Sequence, residues 1–171
     1  QDDTTPPTVT CPADVTVECA VDVPAMFTTL ADFIAGGGTA DDNCGVVTVT
    51  HVGDVSNNAT CPEVITRTYQ AEDECGNITT CTQTITIDDT TPPTITCPAD
   101  LTFECAADVP AADISLVTAD DNCGVVTVTH VGDVSNNATC PEVITRTYQI
   151  ADLCGNTATC TQTITIDDDI P

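Results

Sequence analysis

The stretch ADDNCGVVTVTHVGDVSNNATCPEVITRTYQ occupies residues 40–70 and returns without a single change at residues 119–149. So faithful a repeat makes the chain two copies of one folding unit, and the fold is the fold of that unit. Upstream, DDTTPPTVTCPADVTVECA at residues 2–20 returns as DDTTPPTITCPADLTFECA at 88–106. The first offset is 86 (88 − 2) and the second 79 (119 − 40), so repeat one is seven residues longer. The surplus falls within residues 21–38, where PAMFTTLADFIAGGG stands against PAADISLV. A core strand could not absorb such an insertion without disturbing its partners, so a surface excursion is expected there. The predicted domains are residues 2–87 and 88–166, with 167–171 opening a further linker as part of a longer array.

Each unit reads as β structure. In TCTQTITI, Cys81, Gln83, Ile85 and Ile87 share one face while Thr82, Thr84 and Thr86 take the other, the period of a half-buried strand. The same parity groups Val9 with Cys11, and Val15 with Val17 and Cys19, pointing the cysteines inward. VVTVTHV and EVITRTYQA supply further strands, and clusters of Gly, Pro, Asn and Asp separate them. No segment carries a helical period of ordinary length. Five to seven short strands in about 80 residues predict an all-β chain of two immunoglobulin-like β-sandwich repeats.

Charge narrows the partners. Two Lys+Arg against 27 Asp+Glu give a formal net charge of −25, and both cations are arginines, Arg67 and Arg146. That excludes nucleic acid and an anionic membrane surface as natural partners, since each needs a basic footprint. No apolar run approaches the roughly 20 residues of a spanning helix, and no leader opens the chain, which implies a removed signal peptide or a piece of something longer. Aromatic residues make up 3% of the chain, so the cores must be thin and aliphatic.

Twelve cysteines in 171 residues are a density of secreted, stapled domains. Zinc competes for them, but no two cysteines stand closer than Cys75 and Cys81, and His51 and His130 stand alone, so disulfides are the better reading. No catalytic constellation is visible: there is no tryptophan for a sugar cleft, and no nucleophile motif lies near either histidine, which reads as an exposed strand residue. Arg67 and Arg146, two residues before Tyr69 and Tyr148, are expected to balance nearby carboxylates. Asn58, Asn77 and Asn137 open sequons that a glycosylating host could use.

D-x-T-x-P-P-x-[IV]-x-C-P at the start of a unit, D-N-C-G in its middle, and TYQ-x-x-D-x-C-G-N with C-T-Q-T-I-T-I at its end resemble the hyalin repeat (HYR) domain. The resemblance implies an immunoglobulin-like fold, tandem arrangement, an extracellular or cell-surface setting, adhesion and no enzymatic activity. Six cysteines per unit depart from the pair taken as typical of the family. The sandwich topology that the resemblance implies places Cys11 beside Cys81, Cys44 beside Cys75 and Cys19 beside Cys61. In repeat two the same topology pairs Cys97 with Cys160, Cys123 with Cys154 and Cys105 with Cys140.

On that topology the acidic segments gather at one pole of each unit. Asp88 and Asp89 of the linker would meet Asp120, Asp121 and Asn122 and then Asp152 and Asn156, and in repeat one Asp2 and Asp3 would meet Asp41, Asp42, Asn43, Asp73 and Asn77. Calcium takes six to eight oxygen ligands of these kinds, and the carboxylates would otherwise repel one another, so a calcium site at the junction is expected against the plainer reading of a solvated acidic surface. The function expected is a structural unit of an extracellular filament or adhesin stalk, with like repeats joined head to tail. The alternative is a binding module that uses residues 21–38 to recognise a glycan or protein on a host or cell surface. Ice binding fits poorly, because threonine ladders of that kind come with a much shorter repeat.

Overall fold

The computed structural model describes residues 3–168, so Asp2 and residues 169–171 of the expected next linker lie outside the described residues. The chain forms two compact units, the first ending at Asp89 and the second beginning at Thr90. Both are built on β structure.

Unit 1 contains β1 (Thr8–Thr10), β2 (Val15–Val17), α1 (Leu30–Ala35), β3 (Thr39–Asp41), β4 (Thr48–Ser56), β5 (Glu63–Glu72) and β6 (Ile78–Ile87). The long strands form a sheet in the order β2-β6-β5-β4, and β1 pairs with β3 in a second, two-stranded sheet. The first strand of the larger sheet runs parallel to the last, with Val15 opposite Ile85 and Val17 opposite Ile87. Alternation along β6 follows the sequence reading: Gln83, Ile85 and Ile87 are buried while Thr82 is exposed. The CPAD turn before β2 is tied down through its polar atoms. Gln83 Nε2 donates to Ala13 O at 2.7 Å, and Thr84 N donates to Asp14 Oδ1 at 2.7 Å. A glutamine can therefore sit 4% exposed among isoleucines, because its buried amide is hydrogen-bonded.

Residues 21–38 lie mostly on the surface, as the insertion predicts, but they anchor a buried side chain, Phe33, in the unit. Thr29 caps α1, its hydroxyl oxygen accepting from Asp32 N at 3.1 Å and donating to Asp32 Oδ2 at 2.7 Å. Gly37 ends the helix at φ +98, while Gly38 N donates back to Phe33 O at 2.9 Å. Between these stops Phe33 reaches full burial, its ring 5.1 Å from that of Tyr69 in an edge-to-face arrangement. Together with Val47, Val49, Tyr69 and Ala71 it makes the core of the unit. A short helix can be inserted without breaking strands because it covers the sheet face rather than joining the ladder.

Unit 2 contains β7 (Thr94–Thr96), β8 (Leu101–Phe103), β9 (Thr118–Asp120), β10 (Thr127–Ser135), β11 (Glu142–Ala151) and β12 (Thr157–Ile166), with sheets ordered β10-β11-β12-β8 and β7-β9. A single turn of 3-10 helix, Ile114–Leu116, stands where unit 1 has α1, and Ile114 and Leu116 remain 47% and 63% exposed. Val126 and Val128, the counterparts of buried Val47 and Val49, are consequently only partly buried. The core here is Tyr148, Ile150, Ile164 and Ile166.

Covalent staples reinforce both units. Cys11 is bonded to Cys81 and Cys97 to Cys160, across sequence separations of 70 and 63. Closing a loop of that length contributes about 4 kcal/mol in the chain-entropy model, comparable to the net stability of a small domain. Cys19, Cys61, Cys123 and Cys154 are disulfide-bonded as well. The expected Cys44–Cys75 and Cys105–Cys140 bonds are not formed: all four are free, exposed thiols.

Each arginine is built into its sheet. A bulge between His51 and Gly53 brings Asp54 opposite Arg67. Arg67 Nε and Nη2 clasp the Asp54 carboxylate at 2.9–3.2 Å while Nη1 donates to Pro24 O at 2.8 Å. Arg146 clasps Asp133 through Nε and Nη2 in the same way, and its Nη2 also donates to Pro110 O at 3.1 Å. Each guanidinium thus balances a carboxylate, as the sequence suggested. His51 is not the exposed residue expected: its side chain is 19% exposed and Nε2 lies 2.8 Å from Asp54 Oδ1, whereas His130 is exposed and lies as close to Asp133.

Candidate acidic site at the leading pole of unit 1

Three short acidic segments fold by one local device. In each, an aspartate accepts a hydrogen bond from the backbone N–H two residues on, which fixes the side chain against its own turn. Thr5 N donates to Asp3 Oδ1 at 2.9 Å, Cys44 N to Asp42 Oδ2 at 2.8 Å, and Cys75 N to Asp73 Oδ1 at 2.8 Å. The fold brings the turns together, so that one carboxylate oxygen from each of Asp3, Asp42 and Asp73 lies within 4.8 Å of the others. They line a cleft of about 560 Å³ with Thr5, Cys44 and Cys75.

The asparagines position rather than compete. Asn77 Nδ2 donates to Asp73 Oδ2 at 2.8 Å and to Asp3 O at 3.0 Å, and Asn77 N donates to Asp73 Oδ1 at 2.9 Å. Asn43 Nδ2 donates to Cys44 Sγ at 2.8 Å. These donors decide the charge state. The Asn77 side chain, with backbone N–H groups behind it, holds the Asp73 carboxyl below its ordinary range even though the residue is 8% exposed. The Thr5 N–H and the Cys44 thiol lower Asp3 likewise, against repulsion from Asp73. Both are therefore anions at neutral pH, with a third carboxylate beside them.

Asp42 Oδ1 is the atom that stands out: it is buried and has no hydrogen-bond partner. Asp121 Oδ1, its counterpart in unit 2, is in the same condition, while Asp121 Oδ2 accepts from Cys123 N at 2.9 Å. Asp152 repeats the Asp73 arrangement, accepting from Asn156 N and Asn156 Nδ2 at 2.9 and 2.8 Å. Asp41 and Asp120 do not join in. They end β3 and β9 as exposed residues, and their main-chain carbonyls accept from Thr8 and Thr94. Asp88 N donates to Val17 O, Asp89 is 6% exposed, and Asn122 Nδ2 donates to Cys123 Sγ at 3.2 Å.

Cys44 and Cys75 line one cleft, but the Cys44 thiol faces the carboxylate of Asp3, which with the surrounding negative charge pushes its pKa up. Cys140 Sγ points at Asp167 Oδ1 and Asp168 O, 3.6 Å from each. Sequence reasoning had treated these cysteines only as staples and missed Thr5 as a positioning donor. The recurring D-x-C and D-x-T spacing carried that signal.

Residues 93–166 match the family model of the HYR-like domain with 4 cysteines. Four of the six cysteines in that span, Cys97, Cys123, Cys154 and Cys160, are disulfide-bonded. No curated protein sequence matches the chain. Among solved structures it is similar to Drosophila N-cadherin EC1-4, at TM-score 0.42 and 11% identity over 95% of this chain and 50% of that one, so it spans half the length of that structure. It is also similar to human protocadherin-24 EC1-2, at TM-score 0.38 and 12% identity over 98% and 100% of the two chains. Protocadherin gammaB7 EC3-6, in a cis-dimer structure, gives TM-score 0.32 and 12% identity over 95% and 51%. Among the described residues no helix is long and apolar enough to cross a membrane.

Proposed function

Taking residues 93–166 as an HYR-like domain and unit 1 as its near copy, we propose that the chain is an extracellular, adhesion-type repeat module. Its role is structural, a unit of a filament or adhesin stalk that holds calcium at the acidic pole of each repeat. The module carries no catalytic role in this reading. The observation behind it is Asp42 Oδ1, a buried carboxylate oxygen without a partner inside a cluster of three carboxylates. Leaving a buried acceptor unsatisfied costs about 1–3 kcal/mol, and carboxylates whose oxygens lie within 4.8 Å of one another repel. A hard divalent cation offsets both terms, and an all-oxygen carboxylate donor set suits calcium. Asp3, Asp42 and Asp73 would hold it in unit 1, and Asp89, Asp121 and Asp152 are their sequence counterparts.

Scanning calorimetry of the chain in calcium, in magnesium and in chelator tests this reading. At a calcium concentration one hundred times the dissociation constant, unfolding should be opposed by about 2.7 kcal/mol more. Identical traces in the three buffers would refute the metal site.

A binding role keeps one observation in its favour. Met26 and Ile34 on the inserted segment are 48% and 50% exposed, although Phe33 between them is buried. Replacing both with serine should abolish retention on a glycan or cell-surface protein array if that segment is the contact. Unchanged retention of the wild type and the variant would remove the binding reading.

A further inference from the structure

The two units leave different cysteines open, and the open ones stand at defined poles. In unit 1, Cys44 and Cys75 line the cleft beside Asp3, at the pole where the chain comes in. In unit 2, Cys140 Sγ contacts Asp167 and Asp168 just beyond β12, and Cys105 lies two residues beyond β8, whose Phe103 pairs with Ile166 at that same end. Cys105 and Cys140 therefore share the pole at which the chain leaves. All four thiols are exposed.

Their sequence counterparts are not open. Cys123 and Cys154 match Cys44 and Cys75, while Cys19 and Cys61 match Cys105 and Cys140, and all four counterparts are disulfide-bonded. The loops around Cys44 and Cys123 are identical in sequence, as are those around Cys61 and Cys140, so the local chain does not decide between bonded and open. Cys44 and Cys75 moreover line one cleft without bonding to each other. Each open pair is a place where a bond forms elsewhere in this same fold and a partner is wanting.

We propose that Cys105 and Cys140 of one copy form disulfides with Cys44 and Cys75 of the next copy, joining chains head to tail through two covalent links per joint. This rests on the structural reading above and gives that structure its partner, a second copy of this chain. Every link requires two thiols to give up two protons and two electrons. A low-molecular-weight disulfide such as oxidised glutathione accepts them: one protein thiolate attacks it and releases a reduced glutathione, then the second protein thiolate displaces the other. A joint thus consumes four protein thiols and two oxidised glutathiones, and yields two interchain disulfides and four reduced glutathiones. Because each copy carries both kinds of pole, the contact is heterologous and propagates.

The test uses the purified chain oxidised with glutathione disulfide and run on a non-reducing gel. The wild type should give a ladder that lengthens with protein concentration and collapses to one band under reductant. The double variants C44S/C75S and C105S/C140S should each stay monomeric alone, and their mixture should stop at the dimer. A peptic digest of the wild-type ladder, made in acid so that thiolates are protonated and exchange is halted, gives a second reading that needs no variant. It should link the Cys105 peptide, unique in sequence, to the Cys75 peptide or to the DNCG peptide. A wild type that remains monomeric, with Cys44 joined to Cys75 and Cys105 to Cys140, would overturn the proposal, as would a ladder from either variant alone. Calcium-dependent melting of the C105S/C140S variant, whose changes lie outside the acidic cleft of unit 1, reports on the proposed function separately, so the two readings can fail independently.

Discussion

Replacing Phe33 with alanine should uncouple the stabilities of two nearly identical units. The ring is fully buried and packs on Tyr69 at 5.1 Å and on Phe27 at 6.2 Å, both edge to face. Truncating a buried phenylalanine costs about 3–5 kcal/mol. For a unit of this size the whole net stability is about 4–13 kcal/mol, so unit 1 would lose a large part of it. Unit 2 has no α1 and should not notice. Native-state hydrogen exchange separates the two, because β2 (Val15–Val17) and β8 (Leu101–Phe103) differ in sequence and yield distinguishable peptides. At one decade per 1.4 kcal/mol, protection of the β2 amides should fall by about two to three and a half decades while β8 amides keep theirs. Equal losses in both strands, or none in either, would refute the argument that α1 is a core element of unit 1 alone.

Glycine 38 gives a second probe of the same packing, since a Cβ there would run into the Phe33 ring. Gly38→Ala should lower the melting temperature of unit 1 by several degrees, read by calorimetry. Asp42→Asn should abolish the calcium-dependent rise in unit 1 and leave that of unit 2, with Asp121→Asn doing the reverse; a full calcium response in the double variant would count against both sites. The Arg67 and Arg146 hydrogen bonds hold the carboxyls of Asp54 and Asp133 below the ordinary range. A depressed folded value contributes stability that is whole above the unfolded value of about 3.9 and is lost as pH falls through the folded one. Melting temperature should therefore decline below about pH 4. The D54N/D133N variant should show a shallower decline in an acid melting series; the same slope would remove the pairs from the account.

The strands were legible because burial has a period. Cys81, Gln83, Ile85 and Ile87 alternate with threonines, and no rearrangement of β6 could bury one without its fellows. The acidic segments were legible as Asp- and Asn-rich breaks between strands, but the turn that ties each carboxylate to the N–H two residues on was not. Helix α1 was missed although Thr29, Asp32 and Gly37 mark its ends, because six residues are too few to establish a helical period and an insertion suggests surface. The state of the cysteines was the least legible of all. Cys44 and Cys123 sit in the same local sequence, and spacing carries no information about which of two identical loops finds a partner.

The fate of the two arginines bears on survival outside a cell. Trypsin-like proteases cut after lysine or arginine, and this chain offers them only Arg67 and Arg146, which are 5% and 4% exposed in the middle of sheet strands and clasped by carboxylates. Cleavage needs an extended, accessible segment, so each bond becomes available only when its strand leaves the sheet. A folded repeat is accordingly invisible to a large class of digestive enzymes, and the rate at which such an enzyme nicks the chain measures how often β5 or β11 opens. In an exposed fibre that property would set its lifetime.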